Sequence, residues 1–295
     1  MAEHNRSAQT GAYMRMLLVR PGEPRSVWEK HAIGARPGQI DVTAVAEAMR
    51  GHGERGYLVE VVRDVLNGTR VDPPTLEDFI EVFDLGPRHA KRLRSLQAGS
   101  DSVRVIIGDA LAELHPGSAP RPYDTLAVHE LHTLGPDGLP AEHQTIQVIR
   151  STVDGLRTYP YRFDTDELVV EVVRGGHVGD MYRVTDTLYG VDIVLDRPLA
   201  AGETTLMHYR TTFLYRTPPP PEFRRGVMGT MKDVTLWVQF HPDRLPARVW
   251  SGRWDRLDHA NVIEQQLVEM DGEFSVQVRY DKVEDAIVGF HWAWD

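Results

Sequence analysis

Two hydrophobic patterns divide the chain. Between Asp41 and Leu96, apolar residues recur every three or four positions, which is the spacing of amphipathic helices. From Tyr123 onward, alternating and β-branched segments recur about every ten to fifteen residues, with glycine- or proline-containing turns between them. The change predicts an α+β fold, in which an N-terminal helical bundle is followed by an antiparallel β-sandwich or a barrel-like domain.

The predicted domain boundaries follow this change of pattern. Residues 1–35 are an N-terminal extension, 36–98 the helical unit, 99–122 a helix and linker, and 123–295 the β-rich domain. Within 99–122, the segment Val103–Leu114 is predicted to be helical, because it is apolar and precedes a proline-rich stretch. Near the C-terminus, residues 281–285 are predicted to separate the two strands of a hairpin.

Capping residues locate the helices of the first domain. Asp41 is suited to cap the first helix, Asn67-Gly68 to end the second, and Pro73-Pro74-Thr75 to begin the third. The four predicted helices cover residues 42–50, 57–66, 76–85 and 88–97.

The first two of these helices, with glycines between them, have the order of a helix-turn-helix unit. The second helix of such a unit enters the major groove of DNA. Its polar face carries Glu60, Arg63, Asp64 and Asn67, of which Arg63 suits guanine edges or phosphates and Asn67 suits adenine. The other candidate DNA contacts, on the flanks and on the fourth helix, are Arg55, Tyr57, Thr69, Arg70, Arg88, Lys91 and Arg92.

The region resembles the XRE family of lambda-repressor-like DNA-binding domains. The likeness rests on the residues from Val62 to Arg70, on Pro73-Pro74-Thr75-Leu76 and on Phe83-Asp84-Leu85-Gly86. It covers less than a fifth of the 295 residues, and the segment Trp28–Gly38 has no clear likeness to the family's first helix. The resemblance implies sequence-specific binding of double-stranded DNA, usually as a homodimer on paired half-sites.

The charge distribution limits where DNA can be bound. The chain has a net charge of −10, yet residues 1–98 carry 14 basic and 13 acidic side chains, whereas residues 99–295 carry 19 and 30. Nonspecific DNA affinity comes mainly from basic groups that displace counterions. We therefore expect any DNA contact to come from a local basic surface in the first third of the chain.

Other functional classes find little support in the sequence. The chain has no cysteine, which excludes disulfides, thiolate nucleophiles and cysteine metal sites. It has no signal-peptide pattern and no apolar run of roughly 20 residues, so we expect a cytoplasmic protein without membrane partners. We find no nucleophile elbow and no phosphate-binding loop, and we expect neither a cofactor nor enzymatic activity.

The histidines around residue 130 are the one candidate metal motif. His129 and His132 are three positions apart, whereas the zinc motif of metalloproteases places its histidines four apart on a helix. On the predicted strand the two side chains point to opposite faces, so a metal would need a distant ligand such as His143, Glu130 or His177. We therefore expect solvent-exposed or hydrogen-bonded histidines and no metal.

Aromatic residues are concentrated near the C-terminus. They can form the core of the β-rich domain, as aromatics commonly do, or line a pocket or a dimer surface. Candidate residues of a pocket for a small-molecule effector are Trp237, Trp250, Trp254, Phe290 and Trp292.

Two functional hypotheses follow from these patterns. The first is a sequence-specific DNA-binding transcription regulator whose β-rich domain binds an effector or forms a dimer. The alternative is a protein–protein interaction module, in which the helical bundle docks a protein partner rather than DNA. A third and minor hypothesis is a metal-dependent enzyme.

Overall fold

The structure is a computed structural model that divides into two compact units, residues 1–106 and 107–295. It has the predicted mixed α+β character, with helices first and a strand-rich unit after them. None of the described helices is both long and apolar enough to cross a membrane. The structure describes residues 2–19, 22–34, 39–51, 58–100, 102–107, 112–113, 121–165, 167–215, 218–255 and 261–294.

The described residues of the first unit form six helices. They are α1 (Ala2–Val19), α2 (Glu23–Glu29), α3 (Val42–Ala48), α4 (Val59–Leu66), α5 (Pro73–Val82) and α6 (Pro87–Ala98). The last four occur where the sequence predicts helices, and two of them, α3 and α5, begin at side-chain caps. Asp41 accepts hydrogen bonds from the backbone N–H groups of Thr43 and Ala44 at the start of α3, and Asp72 accepts one from Thr75 at the start of α5.

The residues 1–35 assigned to an extension contain α1 and α2, which belong to the core of this unit. Tyr13, Met14 and Leu18 of α1 are completely buried, and so is Trp28 of α2, whose indole N–H donates to the carbonyl of Leu18. Buried positions lie on all sides of α1, so its apolar residues form a run instead of a stripe. This is why the helical spacing does not reveal α1.

The junction also differs from the prediction. The segment Val103–Leu114, expected to be a helix, contains the strands β1 (Val103–Ile107) and β2 (Ala112–Glu113). The run Val103, Val105, Ile106, Ile107 is rich in β-branched residues, whose stiff side chains suit a strand better than a helix. A short apolar run of this kind does not distinguish the two by its periodicity alone.

Two glycines allow α1 to approach the end of α4 without intervening side chains. A Cβ atom on Gly11 would lie 2.4 Å from the carbonyl oxygen of Val65, and one on Gly68 would lie 2.4 Å from the Cα of Ala8. Gly68 also has a φ of 68°, the left-handed conformation that ends α4. Beside this crossing, the guanidinium of Arg15 donates to the carbonyl of Leu66 at 2.7 Å and so caps the same helix end.

The second unit is built mainly of strands. Those after β2 are β3 (Tyr123–Leu134), β4 (Pro140–Ser151), β5 (Leu156–Phe163), β6 (Glu167–Arg174), β7 (Gly176–Thr185), β8 (Leu188–Leu199), β9 (Thr204–Phe213), β10 (Glu222–Gln239), β11 (Arg248–Trp254), β12 (Val262–Val268) and β13 (Ser275–Ala293). The larger sheet of this unit has the order β6-β9-β4-β3-β10-β13-β11-β12, and the smaller has the order β2-β7-β8-β5. The sheets touch where the hydroxyls of Tyr159 and Tyr161 bond Gln147 and Thr211.

The larger sheet is mixed and not purely antiparallel, because β3 and β10 run parallel. This parallel seam joins two antiparallel halves, one ending at β3 and the other beginning at β10. In the second half, β13 is one continuous strand, so residues 281–285 do not form the predicted hairpin turn. Asp285 instead adopts a φ of 39° within the strand, opposite a register shift between Val227 and Thr230 of β10. The pairing of β13 with β10 continues on both sides of this shift.

Replacement of Gly68 by alanine tests the close approach of α1 to α4. We expect Gly68→Ala to lower the free energy of unfolding by more than the ~1 kcal/mol typical of a strained left-handed residue, because its Cβ would also collide with Ala8. Chemical denaturation followed by circular dichroism measures the change. The matched control is Gly34→Ala, since Gly34 has a φ of 73° but no atom near its Cβ position. Equal losses for the two variants would contradict a tight crossing.

Candidate functional site

Helix α4 corresponds to the predicted reader helix, the helix that would enter the major groove of DNA. One of its sides is buried and the other is exposed. Val62, Val65 and Leu66 of α4 are buried. The hydrogen bond from Arg15 to the carbonyl of Leu66 anchors the C-terminal end of the helix. The candidate contact residues Glu60, Arg63, Asp64 and Asn67 are all exposed, as are Thr69 and Arg70 in the following loop. Arg55 and Tyr57 lie outside the described residues.

Two apolar side chains share this free face. Leu58, at the N-cap of α4, is 65% exposed and Val61 is 39% exposed. Between α3 and α4 lie residues 49–58, more than the three or four residues of an ordinary helix-turn-helix turn. The exposed face of α4 therefore combines apolar, acidic and basic groups. The connection that leads to this helix is longer than in the common motif.

The basic residues of α6 do not all lie on one exposed surface. Arg88 and Lys91 are exposed, but Arg92 is only 3% exposed and is directed into the bundle, where it cannot meet a phosphate. Arg94 is exposed and binds both carboxylate oxygens of Glu77, at 2.7 and 2.5 Å. Helical periodicity explains this, because Arg92 lies next to the buried Leu93 and four positions from the buried Leu96.

The five candidate pocket aromatics do not surround one cavity. Phe290 and Trp292 are buried in the core of the larger sheet, whereas Trp250 stacks on His291, which points to the opposite face of β13. Trp254 also packs against His291, and Trp237 is half-buried. A cleft of about 690 Å³ opens beside β11, β12 and β13, but none of the five aromatics lines it.

A buried polar cluster forms around Glu130 of β3, against the part of β10 that precedes its pairing with β3. Glu130 of β3 has a fully buried side chain and accepts a hydrogen bond of 2.6 Å from the guanidinium of Arg225 on β10. The Nε2 atom of His143, on β4, lies 3.6 Å from the same carboxylate oxygen. His132 stacks face to face on Phe223, with ring centroids 4.9 Å apart.

Burial and mutual charge control ionisation in this cluster. Burial alone would raise the pKa of Glu130, but the guanidinium of Arg225 and the neighbouring histidines hold that pKa below its ordinary value. Burial disfavours the charge of Arg225, and the carboxylate of Glu130 more than offsets this and raises its pKa. Burial, together with repulsion from His143, lowers the pKa of His132 to about 3, so this ring is neutral at physiological pH.

The histidine motif seen in the sequence is thus divided between surface and interior. His129 is exposed and His132 is 5% exposed, which confirms that the two point to opposite faces of β3. His132 is not the exposed or hydrogen-bonded side chain that the sequence predicts, since neither of its ring nitrogens has a hydrogen-bond partner among the described residues. No group of three potential ligands within the described ranges could hold a metal ion, although Glu130, His132 and His143 are neighbours.

Comparisons with known proteins identify no family for this chain. No protein-family model and no curated protein matches it. Among solved structures, a protein from Parabacteroides distasonis ATCC 8503, described only provisionally as a protease, has a TM-score of 0.37 and 10% identity over 59% of this chain and 41% of its own. A two-domain M1 zinc metallopeptidase variant bound to L-tryptophan has a TM-score of 0.27 and 13% identity over 60% and 44%. The chain spans less than half of either structure, and at these TM-scores neither likeness bears on its activity.

Acid stability should depend on His132. Because the pKa of His132 is depressed in the folded protein, the unfolded chain binds a proton near pH 6.5 while the folded one stays neutral until about pH 3. Stability therefore falls as the pH drops below 6.5, and His132→Phe should remove about 2 kcal/mol of that fall between pH 6.5 and 4.5. Denaturant titrations across this range measure the slope. His129→Gln, at an exposed position on the same strand, should leave the slope unchanged; an unaltered slope in His132→Phe would refute this assignment.

Breaking the ion pair between Glu130 and Arg225 should lower the free energy of unfolding. Arg225→Met leaves the buried carboxylate of Glu130 without its cation, and we expect a loss of about 3–5 kcal/mol in the free energy of unfolding. The double variant Arg225→Met/Glu130→Leu should recover most of that loss, because no charge remains buried. As the control, Arg279→Met breaks the exposed pair with Asp233 and should cost far less. A double variant that is no more stable than Arg225→Met would count against a buried-charge origin.

Proposed function

We propose that the protein is a cytoplasmic, sequence-specific DNA-binding transcription regulator in which α4 enters the major groove. The observation that carries the proposal is the burial pattern of α4, whose inner side is fixed in the bundle while Glu60, Arg63, Asp64 and Asn67 remain exposed. The proposal draws further support from the resemblance of residues 62–86 to the XRE family. It assigns the protein no catalytic role and no cofactor.

Base contacts would come from the first turns of α4 and its free face. In helix-turn-helix proteins the N-terminal residues of the reader helix approach the base edges. Leu58 and Val61 are placed there and suit the methyl group of thymine, while Arg63 and Asn67 suit guanine and adenine. This face would read a site containing both A·T and G·C pairs.

Phosphate contacts must come from few residues. Glu60 and Asp64 repel phosphates, Arg92 is buried and Arg94 is paired with Glu77. The exposed cations in the described part of the predicted surface include Arg63, Arg70 and Lys91. We therefore expect weak nonspecific binding and a shallow dependence of affinity on salt, since the slope follows the number of phosphates neutralised.

The β-rich unit would then supply regulation. We propose that its two sheets pack as a sandwich, supported by the contacts of Tyr159 and Tyr161 across them. A homodimer formed through this unit would present two reader helices to an inverted repeat, and a small-molecule effector would act on the same unit.

The alternative function as a protein-docking module is favoured by one specific observation. Leu58 and Val61 are exposed apolar side chains beside the acidic Glu60 and Asp64, a combination that fits a protein partner with apolar and basic residues. It would bind in the presence of excess competitor DNA.

Selection from a random duplex library with the full-length protein tests the first proposal. We expect an enriched inverted repeat, bound by the wild type at least about 1000-fold more tightly than random DNA. Arg63→Ala should lose about 1–3 kcal/mol of binding free energy and relax the preference at one base pair, whereas Arg70→Ala should weaken all sites alike and reduce the salt slope by about one. Fluorescence anisotropy at several salt concentrations measures both.

The control for these variants is Arg279→Ala, which removes an exposed arginine from the β-rich unit instead of the helical one. It should bind the selected duplex like the wild type. Failure to enrich any sequence, or equal losses for Arg63→Ala and Arg279→Ala, would reject the DNA-binding proposal. A protein partner retained by the wild type and lost by Leu58→Asp would then favour the docking module.

A further inference from the structure

Strand β12 lies at the end of the larger sheet. Among the described strands it pairs only with β11, in an antiparallel register that joins Trp250 to Leu267 and Gly252 to Gln265. Residues 262–267 are exposed, although they alternate between the two faces of the sheet. The outer edge of the sheet is therefore a strand that no described element covers on either face.

This edge carries only part of the usual protection against pairing with another chain. Exposed edges are commonly interrupted by proline, lysine or a bulge, because an open strand offers unpaired backbone donors and acceptors. β12 has no proline and no lysine, and Glu264 is its one charged residue, but a bulge at Ile263 interrupts its register with β11. Three of its apolar side chains are exposed: Val262 at 39%, Ile263 at 56% and Leu267 at 58%.

The order of residues in β12 has the same polarity pattern in both directions. The strand is Val262-Ile263-Glu264-Gln265-Gln266-Leu267-Val268, with two apolar residues at each end and three polar residues between them. The exposed Asn261 and Glu269 continue the symmetry outside the strand. A strand with this symmetry is complementary to an antiparallel copy of itself, because a two-fold axis through its centre brings like positions together.

We propose that β12 is a homodimerisation edge, at which two copies of the chain pair antiparallel about a two-fold axis through Gln265. In this register Ile263 lies opposite Leu267 of the second copy, Val262 opposite Val268, and Glu264 opposite Gln266. Each apolar residue meets an apolar residue, and each carboxylate meets an amide. The larger sheet then continues from one copy into the other.

The pattern selects this register over its neighbours. A shift of one residue toward the N-terminus places Ile263 opposite Gln266, and a shift toward the C-terminus places Glu264 opposite Leu267. A shift of two residues toward the N-terminus places Glu264 opposite itself, which sets two like charges in direct contact. The register centred on Gln265 therefore avoids every mismatch that the adjacent registers create.

Pairing in this register would also extend an apolar row that already exists. Trp250 of β11 lies beside Leu267 of β12, in the regular part of the strand that follows the bulge at Ile263. In the dimer, Ile263 of the second copy follows Leu267, so that Trp250, Leu267 and Ile263 form a row on each side of the axis. Cross-strand contacts of this kind are the main stabilising unit of a sheet.

Introducing a charge at Gln265, beside the two-fold axis, provides a register-specific test in the full-length protein. In Gln265→Glu two carboxylates meet across the axis, and in Gln265→Lys two ammonium groups meet. Each variant should raise the dimer Kd by about fivefold in analytical ultracentrifugation. An equimolar mixture should form heterodimers with a Kd close to that of the wild type, because opposite charges then face each other. Gln277→Glu, at an exposed glutamine of β13 away from the edge, is the matched control and should dimerise like the wild type.

A disulfide provides the second test, because the natural chain contains no cysteine. Opposite residues of an antiparallel pair have Cα atoms about 4.5–5.5 Å apart, which suits a disulfide. Oxidised Gln265→Cys should therefore form a covalent dimer, and Gln277→Cys should not. Ile263→Cys and Leu267→Cys should each crosslink poorly alone and efficiently when mixed.

Three results would overturn the proposal: a wild type that stays monomeric throughout the accessible concentration range, a dimer indifferent to both charge variants, or no covalent dimer in Gln265→Cys. The test is independent of the proposed DNA binding, since edge pairing requires only β12. Charge variants that no longer dimerise but still bind a single DNA half-site would separate edge pairing from DNA binding.

Discussion

The structure of the β-rich unit depends on one buried charge being neutralised. Glu130 lies on β3 and Arg225 on β10, the two parallel strands where the halves of the larger sheet meet. A carboxylate without solvent is too costly to bury alone, so the halves can close only in an arrangement that brings Arg225 within hydrogen-bonding distance. Arg225 precedes residues 231–239, the stretch of β10 that pairs with β3, so the ion pair holds the first part of β10 against the buried side of β3. The neutral His132 then fills the space that remains beside Phe223.

The helices that carry their own local signals could be predicted from the sequence. α3 and α5 begin at side-chain caps, and α4 ends at Gly68, so their boundaries depend on neighbouring residues alone. α1 could not be predicted in this way, because it is buried on all sides and its apolar residues show no stripe. The strand β1 was mistaken for a helix for a related reason: its apolar run is too short for its period to be read.

The candidate sites show the same division between local and distant information. Exposure of Arg63 and Asn67 follows from helical spacing within α4. The burial of Arg92 also follows from that spacing, since it lies between apolar residues of α6. The cluster as a whole could not be found, because Arg225 lies 95 residues from Glu130 and only the tertiary fold brings the two side chains together. From the sequence, Glu130, His132 and His143 of that cluster are candidate metal ligands, whereas Arg225 and Phe223 carry no signal.

The all-round burial of α1 has a consequence for synthesis on the ribosome. This helix is made first, yet its partners include α6, where His89 hydrogen-bonds Tyr13 at 2.7 Å. At a translation rate of roughly 5–20 residues per second, on the order of 4–16 s pass between the synthesis of α1 and the completion of α6. During that time the apolar side chains of α1 have no folded surface to pack against. The N-terminal helix is therefore the segment of this bundle most in need of a chaperone while the chain is still growing.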